Sequence, residues 1–365
     1  MHVVQINSSR KFGGGERHFV DLCRGLDARG VELTIVVRRD AEWLGMLDFV
    51  SPDAIKHLAL RNSGDLLSAS GLASIARSVG ADLIHAHLAR DYTIAATAAA
   101  MSKRAKLVLT RHVGFKIGFA TRMLTKGAAA VIAVSDGVAR ELRSIFGESK
   151  VHVVPNGLQL EAGFDQNALS AEFRSTHDIP ADAPLISIMG ELSKVKGQTE
   201  FVFASAEILK EIPDAHFVLV GKDNSKSGSY RREIRRLAKV LGTAPNIVFL
   251  DWMKDTRPFF AATDLYISSS KTESFGLTIL EAMAFGIPVV ATDTDGARML
   301  VADGESGRIV PQMDVKALAG ESVKILRDND LKTRLGKAGR LIAEREYSLE
   351  RMIQRTIAVY DSILA

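Results

Sequence analysis

Cysteine is nearly absent from this chain of 365 residues, in which Cys23 is the single example. One cysteine cannot form a disulfide within a chain, and such sequences are typical of reducing compartments. The sequence also lacks the ~20 consecutive apolar residues that a membrane-spanning helix requires. Residues 3–6 already resemble a strand, with no charged and apolar leader before them. We therefore expect a cytoplasmic protein, either soluble or peripheral on the inner face of the cytoplasmic membrane.

The signatures of two functional classes are missing. The glycines at positions 13–15 do not follow the Gly-x-Gly-x-x-Gly spacing, which disfavours a dinucleotide-dependent dehydrogenase. The arginines of residues 231–236 are interrupted by Glu233, and no aromatic residues alternate with them to stack on bases. This pattern favours a solvated helix face, so we expect no nucleic-acid partner.

Metal-binding spacings are missing too. His85 and His87 alternate in a strand, so we expect one to point inward and each to be a structural histidine, because no third ligand follows at a recognisable spacing. Asp293 and Asp295 follow a buried strand, and we interpret them as part of a local turn. We therefore expect neither a metal nor another cofactor.

What the sequence does contain is ordinary for a soluble globular protein, with 47% hydrophobic and 25% charged residues. Its length suggests two domains. Residues 92–135 contain no acidic residue, and such a region attracts anionic partners such as lipid headgroups, a phosphorylated acceptor or nucleic acid. Its basic residues are Lys103, Arg104, Lys106, Arg111, Lys116, Arg122 and Lys126.

Short apolar runs alternate with helical patterns along the chain, which predicts an α/β fold with parallel sheets and sites at the carboxyl ends of the strands. In the first half the predicted strands are 3–6, 33–37, 82–87, 107–114 (running into a loop), 129–134 and 151–157 (ending in a turn). In the second half they are 185–189, 217–220, 247–250, 265–268, 288–291 and 308–310.

The stretch 271–292 predicts a loop, then a helix, then a buried strand. Gly276 suits a tight turn at the helix start, and Gly286 suits the position just past its end. Four backbone N–H groups at the helix start, together with the positive end of the helix dipole, would bind phosphate oxygens. These groups belong to Ser274, Phe275, Gly276 and Leu277.

Two carboxylates flank that helix start. Glu273 precedes the helix and Glu281 lies about two turns further on. One would accept hydrogen bonds from a sugar and the other from a ribose. The alternative is an ordinary amphipathic helix with two solvated glutamates.

The residues from Glu273 to Glu281, followed by Ala-Met-Ala at 282–284 and Gly-Ile-Pro-Val-Val at 286–290, resemble the signature of the family 4 retaining glycosyltransferases. The resemblance extends over nearly the whole chain. It implies the GT-B fold, in which two Rossmann-like domains face a central cleft. The expected parts are an acceptor-side domain at 1–163, a nucleotide-sugar-binding domain at 164–346, and a last helix at 347–365 that crosses back to the first domain.

The resemblance also implies roles for residues outside that signature. Gly14 and Gly15 match a Gly-Gly turn beside the donor phosphates or the acceptor, with a plain tight turn as the alternative. His112 matches a histidine that lies beside the transferred sugar. Gly221 ends a strand at the cleft, and Trp252 lies where the family holds the base, with a core role as the alternative.

The segment 190–197 resembles the family segment in which an arginine and a lysine bind the diphosphate. Lys196 matches the lysine, whereas Glu191 replaces the arginine and reverses the charge. At an effective dielectric of ~20, a unit charge 4 Å away contributes about 4 kcal/mol. We therefore expect Lys194, Lys222 or Arg17 to compensate, or Glu191 to turn outward.

The resemblance thus implies a retaining transfer of a hexose-like sugar from a nucleotide-diphosphate sugar to a hydroxyl of a lipid-linked glycan or envelope oligosaccharide. His112, Lys196 and Glu273 would be the catalytic residues, and the basic region would lie at an anionic membrane surface. The alternatives are a sugar-nucleotide epimerase on a similar fold and a non-catalytic sugar-nucleotide-binding protein.

Overall fold

The computed structural model of the protein describes residues 1–114, 117–159 and 163–365. The chain forms two compact units, one made of Met1–Gln159 with Ser348–Ala365 and the other of Leu160–Tyr347. The boundaries that we placed after residues 163 and 346 lie close to these two crossings of the chain.

The first unit is built on a sheet of seven strands, all of them parallel. The strands are β1 (His2–Asn7), β2 (Glu32–Val37), β3 (Ile55–His57), β4 (Leu83–Ala86), β5 (Lys106–Arg111), β6 (Ala130–Ala133) and β7 (Val151–Val153). The helices that connect them are α1 (Gly14–Asp27), α2 (Leu66–Ser78), α3 (Tyr92–Ser102), α4 (Phe119–Thr125) and α5 (Asp136–Phe146). Their order in the sheet is β3-β2-β1-β4-β5-β6-β7.

The second unit repeats this plan with six parallel strands. They are β8 (Leu185–Met189), β9 (His216–Val220), β10 (Ile247–Leu250), β11 (Leu265–Ser268), β12 (Val289–Thr292) and β13 (Gly307–Val310), in the order β10-β9-β8-β11-β12-β13. Its helices are α6 (Gln166–Thr176), α7 (Gln198–Glu211), α8 (Ser229–Val240), α9 (Arg257–Ala262), α10 (Leu277–Ala284), α11 (Asp295–Leu300), α12 (Val315–Arg327) and α13 (Asn329–Glu346).

The last helix, α14 (Leu349–Leu364), returns to the first unit, as expected. The Ser348 hydroxyl caps it by accepting a hydrogen bond from the Arg351 N–H. The helix packs so closely on α1 that a side chain at Gly25 would place its Cβ 1.9 Å from Ile353 Cδ1. Met352, Ile353 and Tyr360 are fully buried there, so α14 completes the core of this unit.

These topologies determine where a ligand site can form. In both sheets the strand order reverses once, between β1 and β4 in the first unit and between β8 and β11 in the second. Open parallel sheets bind ligands at such a point, beyond the carboxyl ends of the two strands. Across the described residues, no helix has both the length and the apolar character needed to cross a bilayer.

Candidate functional site

The two loops at the switch point of the second unit are held together by their backbones. Gly197 caps α7 with φ of 71°, and a Cβ there would lie 1.9 Å from the Ser269 carbonyl oxygen. The Ser269 hydroxyl donates a hydrogen bond of 2.7 Å to the Gly197 carbonyl. Only glycine allows this contact. The loop 190–197 after β8 and the loop 269–276 after β11 therefore form one surface.

Lys196 and Glu273, from these two loops, form an ion pair with 2.6 Å between Nζ and Oε2. The side chains are 32% and 15% exposed, so the pair is accessible but partly removed from water. Both residues were predicted to contact the donor, one at the diphosphate and the other at the sugar. The fold thus brings the two together although they lie 77 positions apart in the sequence.

The start of α10 has the predicted geometry. Gly276 caps the helix in the left-handed region, with φ of 96°. The loop before it rests on α11, because the Gly296 N–H donates to the Glu273 carbonyl at 2.8 Å and a Cβ at Gly296 would lie 2.5 Å from the Phe275 carbonyl oxygen. Ser274 and Leu277 are half-buried, whereas Phe275 and Gly276 are buried. The role of Gly296 was not predicted, since it depends on the close approach of two segments.

Glu281 is not a solvated helix residue. It is 6% exposed on the second turn of α10. Burial raises the pKa of the neighbouring Tyr266, and the carboxylates of Glu281 and Glu273 raise it further. The alternative of two solvated glutamates is therefore wrong for Glu281, and Glu273 is largely shielded as well.

Glu191 turns toward solvent, one of the two outcomes that we expected. Its Oε1 accepts a hydrogen bond of 3.0 Å from the Asn224 side-chain amide, and its carbonyl accepts one of 2.9 Å from the Gln198 side chain. Lys194 and Lys222 are both exposed, and neither has an ion-pair partner within residues 1–114, 117–159 and 163–365. Lys194 in this loop and Lys222 in the loop after β9 therefore lack an ion-pair partner among the described residues.

Gly221 and Trp252 lie on the loops after β9 and β10. A Cβ at Gly221 would lie 2.0 Å from the Gly190 carbonyl oxygen, so glycine is required for packing there. The Arg231 guanidinium, which we had placed on a solvated helix face, donates to the Gly221 carbonyl and, at 2.7 Å, to Asp251 Oδ1. Trp252 follows this contact and is 47% exposed, which excludes a core role.

In the first unit, Gly14 and Gly15 form the first turn of α1. A Cβ at Gly15 would meet no atom within 4 Å, so the backbone faces open space. The preceding loop is held by Asp91, whose Oδ2 accepts a hydrogen bond of 2.9 Å from the Ser8 N–H. Burial raises the pKa of the Asp91 carboxyl to about 6.

His112 lies just after β5, half-buried, where it meets two histidines that the sequence did not associate with it. The ring centroids of His112 and His18 are 4.6 Å apart, and those of His112 and His87 are 6.2 Å apart. Burial lowers the pKa of His112 to about 4 and holds those of His18 and His87 well below their usual value. All three are therefore neutral at pH 7.

Our expectation that only one of His85 and His87 points inward is wrong. Both are buried, because residues two positions apart in a strand share one face. His85 is a structural histidine as expected, with Tyr360 Oη 2.6 Å from Nδ1 and Thr110 Oγ1 2.7 Å from Nε2. His87 has a partner at one nitrogen only, the Gln5 side chain.

Asp293 lies in a bend after β12, as predicted, whereas Asp295 is the first residue of α11 and not part of a turn. Asp293 pairs with the Arg298 guanidinium, and the Thr294 hydroxyl caps α11 by accepting a hydrogen bond of 3.2 Å from the Ala297 N–H. The only cluster of candidate metal ligands in the described part of the chain consists of the three histidines of the first unit.

The basic stretch is less exposed than its sequence suggests. Arg111 is buried, and Arg104 donates to Asp82 at 2.8 Å. Lys116 lies outside the described residues. Lys103 and Lys126 remain at the surface.

Comparisons with known proteins agree with this architecture. The sequence model of Glycosyl transferases group 1 matches residues 170–342, and that of Glycosyltransferase Family 4 matches residues 12–162. The lipopolysaccharide core biosynthesis glycosyltransferase LpsE of Rhizobium meliloti (strain 1021) is 28% identical over 346 residues, 93% of either chain. The N-acetyl-alpha-D-glucosaminyl L-malate synthase of Bacillus anthracis is 26% identical over 311 residues, 82% of this chain and 80% of that one.

A solved structure, Anabaena Alr3699/HepE in complex with UDP and glucose, matches with a TM-score of 0.87 at 23% identity, over 99% of this chain and 100% of that one. At that identity the likeness shows the fold, which is GT-B. The two family models cover complementary halves of the sequence, and each coincides with one Rossmann-like sheet. The chain therefore belongs to the family 4, group 1 glycosyltransferases.

Proposed function

We propose that this glycosyltransferase moves a hexose-like sugar from a nucleotide-diphosphate sugar to a hydroxyl of a lipid-linked glycan or envelope oligosaccharide, with retention of the anomeric configuration. The observation that carries the proposal is the Lys196–Glu273 ion pair at the switch point of the second unit, beside the start of α10. A cation for the diphosphate and a carboxylate for the sugar hydroxyls are already in contact there.

The ion pair suggests how the donor would bind. A diphosphate would displace the Glu273 carboxylate from Lys196, because a phosphate oxygen offers the ammonium group an equivalent charge-assisted hydrogen bond. The released Glu273 carboxylate would then accept hydrogen bonds from the sugar. The exchange leaves neither charge unpaired, so the cost of separating the pair is largely recovered when the donor is in place.

Charge that develops on the departing diphosphate would be stabilised by Lys196 and by the N–H groups at the start of α10. The departing oxygen would assist deprotonation of an acceptor that attacks the same face of the sugar. His112 would contact the sugar or the acceptor as a neutral imidazole, and Glu281 would accept hydrogen bonds from the ribose. Donor binding in this scheme requires no metal.

The relatives support a role in the cell envelope. LpsE of Rhizobium meliloti is a lipopolysaccharide core biosynthesis glycosyltransferase, and Anabaena HepE binds UDP and glucose. A UDP-sugar donor is accordingly the first candidate. We place the protein in the cytoplasm, at the face of the cytoplasmic membrane where a lipid-linked acceptor is accessible.

Contact with an anionic membrane is supported by α4. Its apolar side chains are unusually exposed, with Phe119 at 80%, Met123 at 59% and Leu124 at 56%. Lys126 directly follows the helix and is exposed. Apolar side chains beside basic ones are typical of a helix that lies in a bilayer interface.

The proposal is tested with UDP, GDP, ADP and their sugar conjugates, by calorimetry and thermal shift on the full chain. One diphosphate should bind, and Lys196→Ala should weaken its binding at least tenfold. Lys194→Ala serves as the matched control, since that lysine lies in the same loop without contacting Glu273. Equal effects of the two variants would count against the assignment of Lys196.

Product analysis then separates the alternatives. With a matched acceptor, NMR of the product should show the same anomeric configuration as the donor sugar. A changed sugar in the absence of acceptor would indicate an epimerase instead. Tight donor binding without turnover on any glycan acceptor would indicate a non-catalytic binding protein.

A further inference from the structure

We propose that His18, His87 and His112 of the first unit form a binding site for a transition-metal ion, with Zn²⁺ as the expected occupant. This site lies outside the loops 190–197 and 269–276, and it shares His112 with the glycosyl transfer proposed above. The three side chains come from α1, from the end of β4 and from the end of β5.

The first argument is the distance between the ligand atoms. One ring nitrogen from each histidine lies within 4.8 Å of the other two. Tetrahedral zinc at a Zn–N distance of 2.0–2.1 Å holds its nitrogens about 3.3 Å apart. Side-chain rotations that move each nitrogen inward by roughly 1 Å would complete the site.

The second argument is that these rings have unused nitrogens. His87 Nδ1 and His112 Nε2 are buried without a hydrogen-bond partner among the described residues, and His18 Nδ1 has none within 3.5 Å, although the Asn156 side chain interacts with that ring. Leaving a polar atom unpaired in the interior costs about 1–3 kcal/mol. Three such atoms in one cluster indicate that something else pairs with them. A metal ion satisfies all three at once.

The third argument is the state of His87. The Gln5 side-chain nitrogen donates to Tyr360 Oη at 3.1 Å, so the Gln5 oxygen points to His87 and accepts a hydrogen bond of 2.8 Å from Nε2–H. The proton on Nε2 leaves Nδ1 with a bare lone pair. A hydrogen bond from the far nitrogen of a histidine to a fixed acceptor is the usual arrangement behind a metal-bound imidazole.

The chemistry of the ligands selects the ion. Three neutral imidazoles favour Zn²⁺, Cu²⁺, Ni²⁺ or Co²⁺ over Mg²⁺ and Ca²⁺, which prefer oxygen ligands. With three protein ligands, zinc keeps a fourth position open to an oxygen atom.

The sequence did not predict this site because the ligands follow no spacing motif. No third metal ligand lies near His87 in the sequence, but two lie near it in the folded protein. The topology provides the others, since α1, β4 and β5 all meet at the switch point of the first sheet.

The test uses the full chain, stripped with a chelator and then titrated with ZnCl₂ by calorimetry and with CoCl₂ by visible absorption. We expect one ion per chain and the intense absorption of tetrahedral Co²⁺. His18→Ala and His87→Ala should each abolish this binding. Gln5→Met should weaken it by about 10–100-fold, the usual effect of removing the hydrogen-bond partner behind a ligand.

His177→Ala is the matched control, because His177 is a histidine of the second unit, and it should leave the titration unchanged. Zinc binding that survives His18→Ala, or Co²⁺ bound with the weak spectrum of an octahedral site, would overturn the proposal. If the alanine variants do not fold, Gln5→Met and His112→Asn provide the test. Unchanged zinc affinity in both of these variants would also overturn the proposal. UDP binding by the stripped protein is measured in parallel and reports on the donor site alone.

Discussion

At the scale of single residues, the ion pair between Lys196 and Glu273 matters most for the proposed donor binding. In that proposal each residue would be needed by a different part of the donor, yet in the pair each reduces the charge of the other. Removing the Glu273 carboxylate should therefore change the affinity for the diphosphate and the rate of sugar transfer in opposite directions.

Glu273→Gln should bind UDP roughly fivefold more tightly, since a partly exposed ion pair is worth about 1 kcal/mol. Sugar transfer should nevertheless fall by about 100-fold, because the sugar hydroxyls lose their charged acceptor. Calorimetry with UDP and an initial-rate assay measure the two effects. Glu200→Gln is the control, since Glu200 pairs with Lys271 at 3.1 Å nearby. Weaker UDP binding in Glu273→Gln would show that the pair does not compete with phosphate.

Glu191→Arg should tighten binding of a nucleotide diphosphate, because it restores the positive charge found in the family. The carboxylate is exposed and held by Asn224, so screening limits the gain to roughly three- to tenfold. Titration calorimetry at two salt concentrations measures it, and the gain should shrink at high salt. Glu305→Arg, an equal charge change at another exposed position of the unit, should have no such effect. Unchanged or weaker binding in Glu191→Arg would contradict the prediction.

Asp91 predicts a pH dependence of stability. Burial raises its pKa from 3.8 to about 6, so the folded state holds this proton more tightly than the unfolded state does. The stability that it contributes is present below about pH 4 and is lost as the pH rises to about 6, a change of about 3 kcal/mol. Asp91→Asn keeps an oxygen for the Ser8 N–H but does not titrate. Melting temperatures at pH 4 to 7 should show the variant gaining on the wild type as pH rises, and a constant difference would contradict this assignment.

The candidate site residues could be identified from the sequence where a motif contained them, and not where only the fold brings them together. Lys196, Glu273 and Gly276 were identified from short local patterns, and the structure brings them together. His18 and Gly296 gave no signal, because their importance depends on a second segment that lies far away in the sequence. Glu281 showed the same limit, since its burial reflects packing around the whole of α10 rather than its spacing.

At the scale of elements, the strongest feature is the contact between the loop after β8 and the loop after β11. Gly197 allows this contact, and Gly221 allows the loop after β9 to approach Gly190 in the same way. These loops are therefore packed closely against one another at the edge of the sheet.

Gly197→Ala should lower the unfolding free energy by about 3 kcal/mol, because the new Cβ clashes with the Ser269 carbonyl and φ of 71° disfavours alanine. Gly320→Ala in α12 is the contrasting control. A Cβ there meets no atom within 4 Å, so that variant should gain about 0.5–1 kcal/mol. Thermal unfolding of both variants measures this, and a neutral Gly197→Ala would show that the two loops are not in tight contact.

Elements with continuous apolar runs were predicted well. The strands at 185–189, 247–250 and 265–268 match β8, β10 and β11 residue for residue. By contrast β3 was missed, because a three-residue edge strand buries too little to leave a pattern. Helix α4 was missed because its apolar residues face outward.

At the scale of the whole molecule, charge is distributed unevenly. The chain has a formal net charge of +4, and the acid-free stretch 92–135 concentrates basic residues in the first unit. Arg111 is buried and Arg104 is paired, whereas Lys103, Lys106 and Lys126 are exposed, and the surface that we propose for an anionic partner is α4 with Lys126.

Vesicles that contain anionic lipid should bind the full chain in a manner that weakens as salt is raised. Replacing Phe119, Met123 and Leu124 by serine should reduce co-sedimentation by at least fivefold. The control replaces Leu66 and Leu67 of α2, which are 71% and 75% exposed in the same unit, and should change little. Equal losses in both variants, or binding that ignores salt, would exclude α4 as the contact.

The first unit depends on helix α14 for hydrogen bonds to two of its buried side chains. Tyr360 donates to His85 and accepts from Gln5, so residues near the beginning of the chain depend on one close to its end for their hydrogen bonds. During synthesis on the ribosome, all residues of the second unit have been made before α14, the last helix of the first unit, is made. A premature stop codon after residue 347 would therefore leave the earlier-made half with an uncovered core, and chaperones and proteases would recognise that half first.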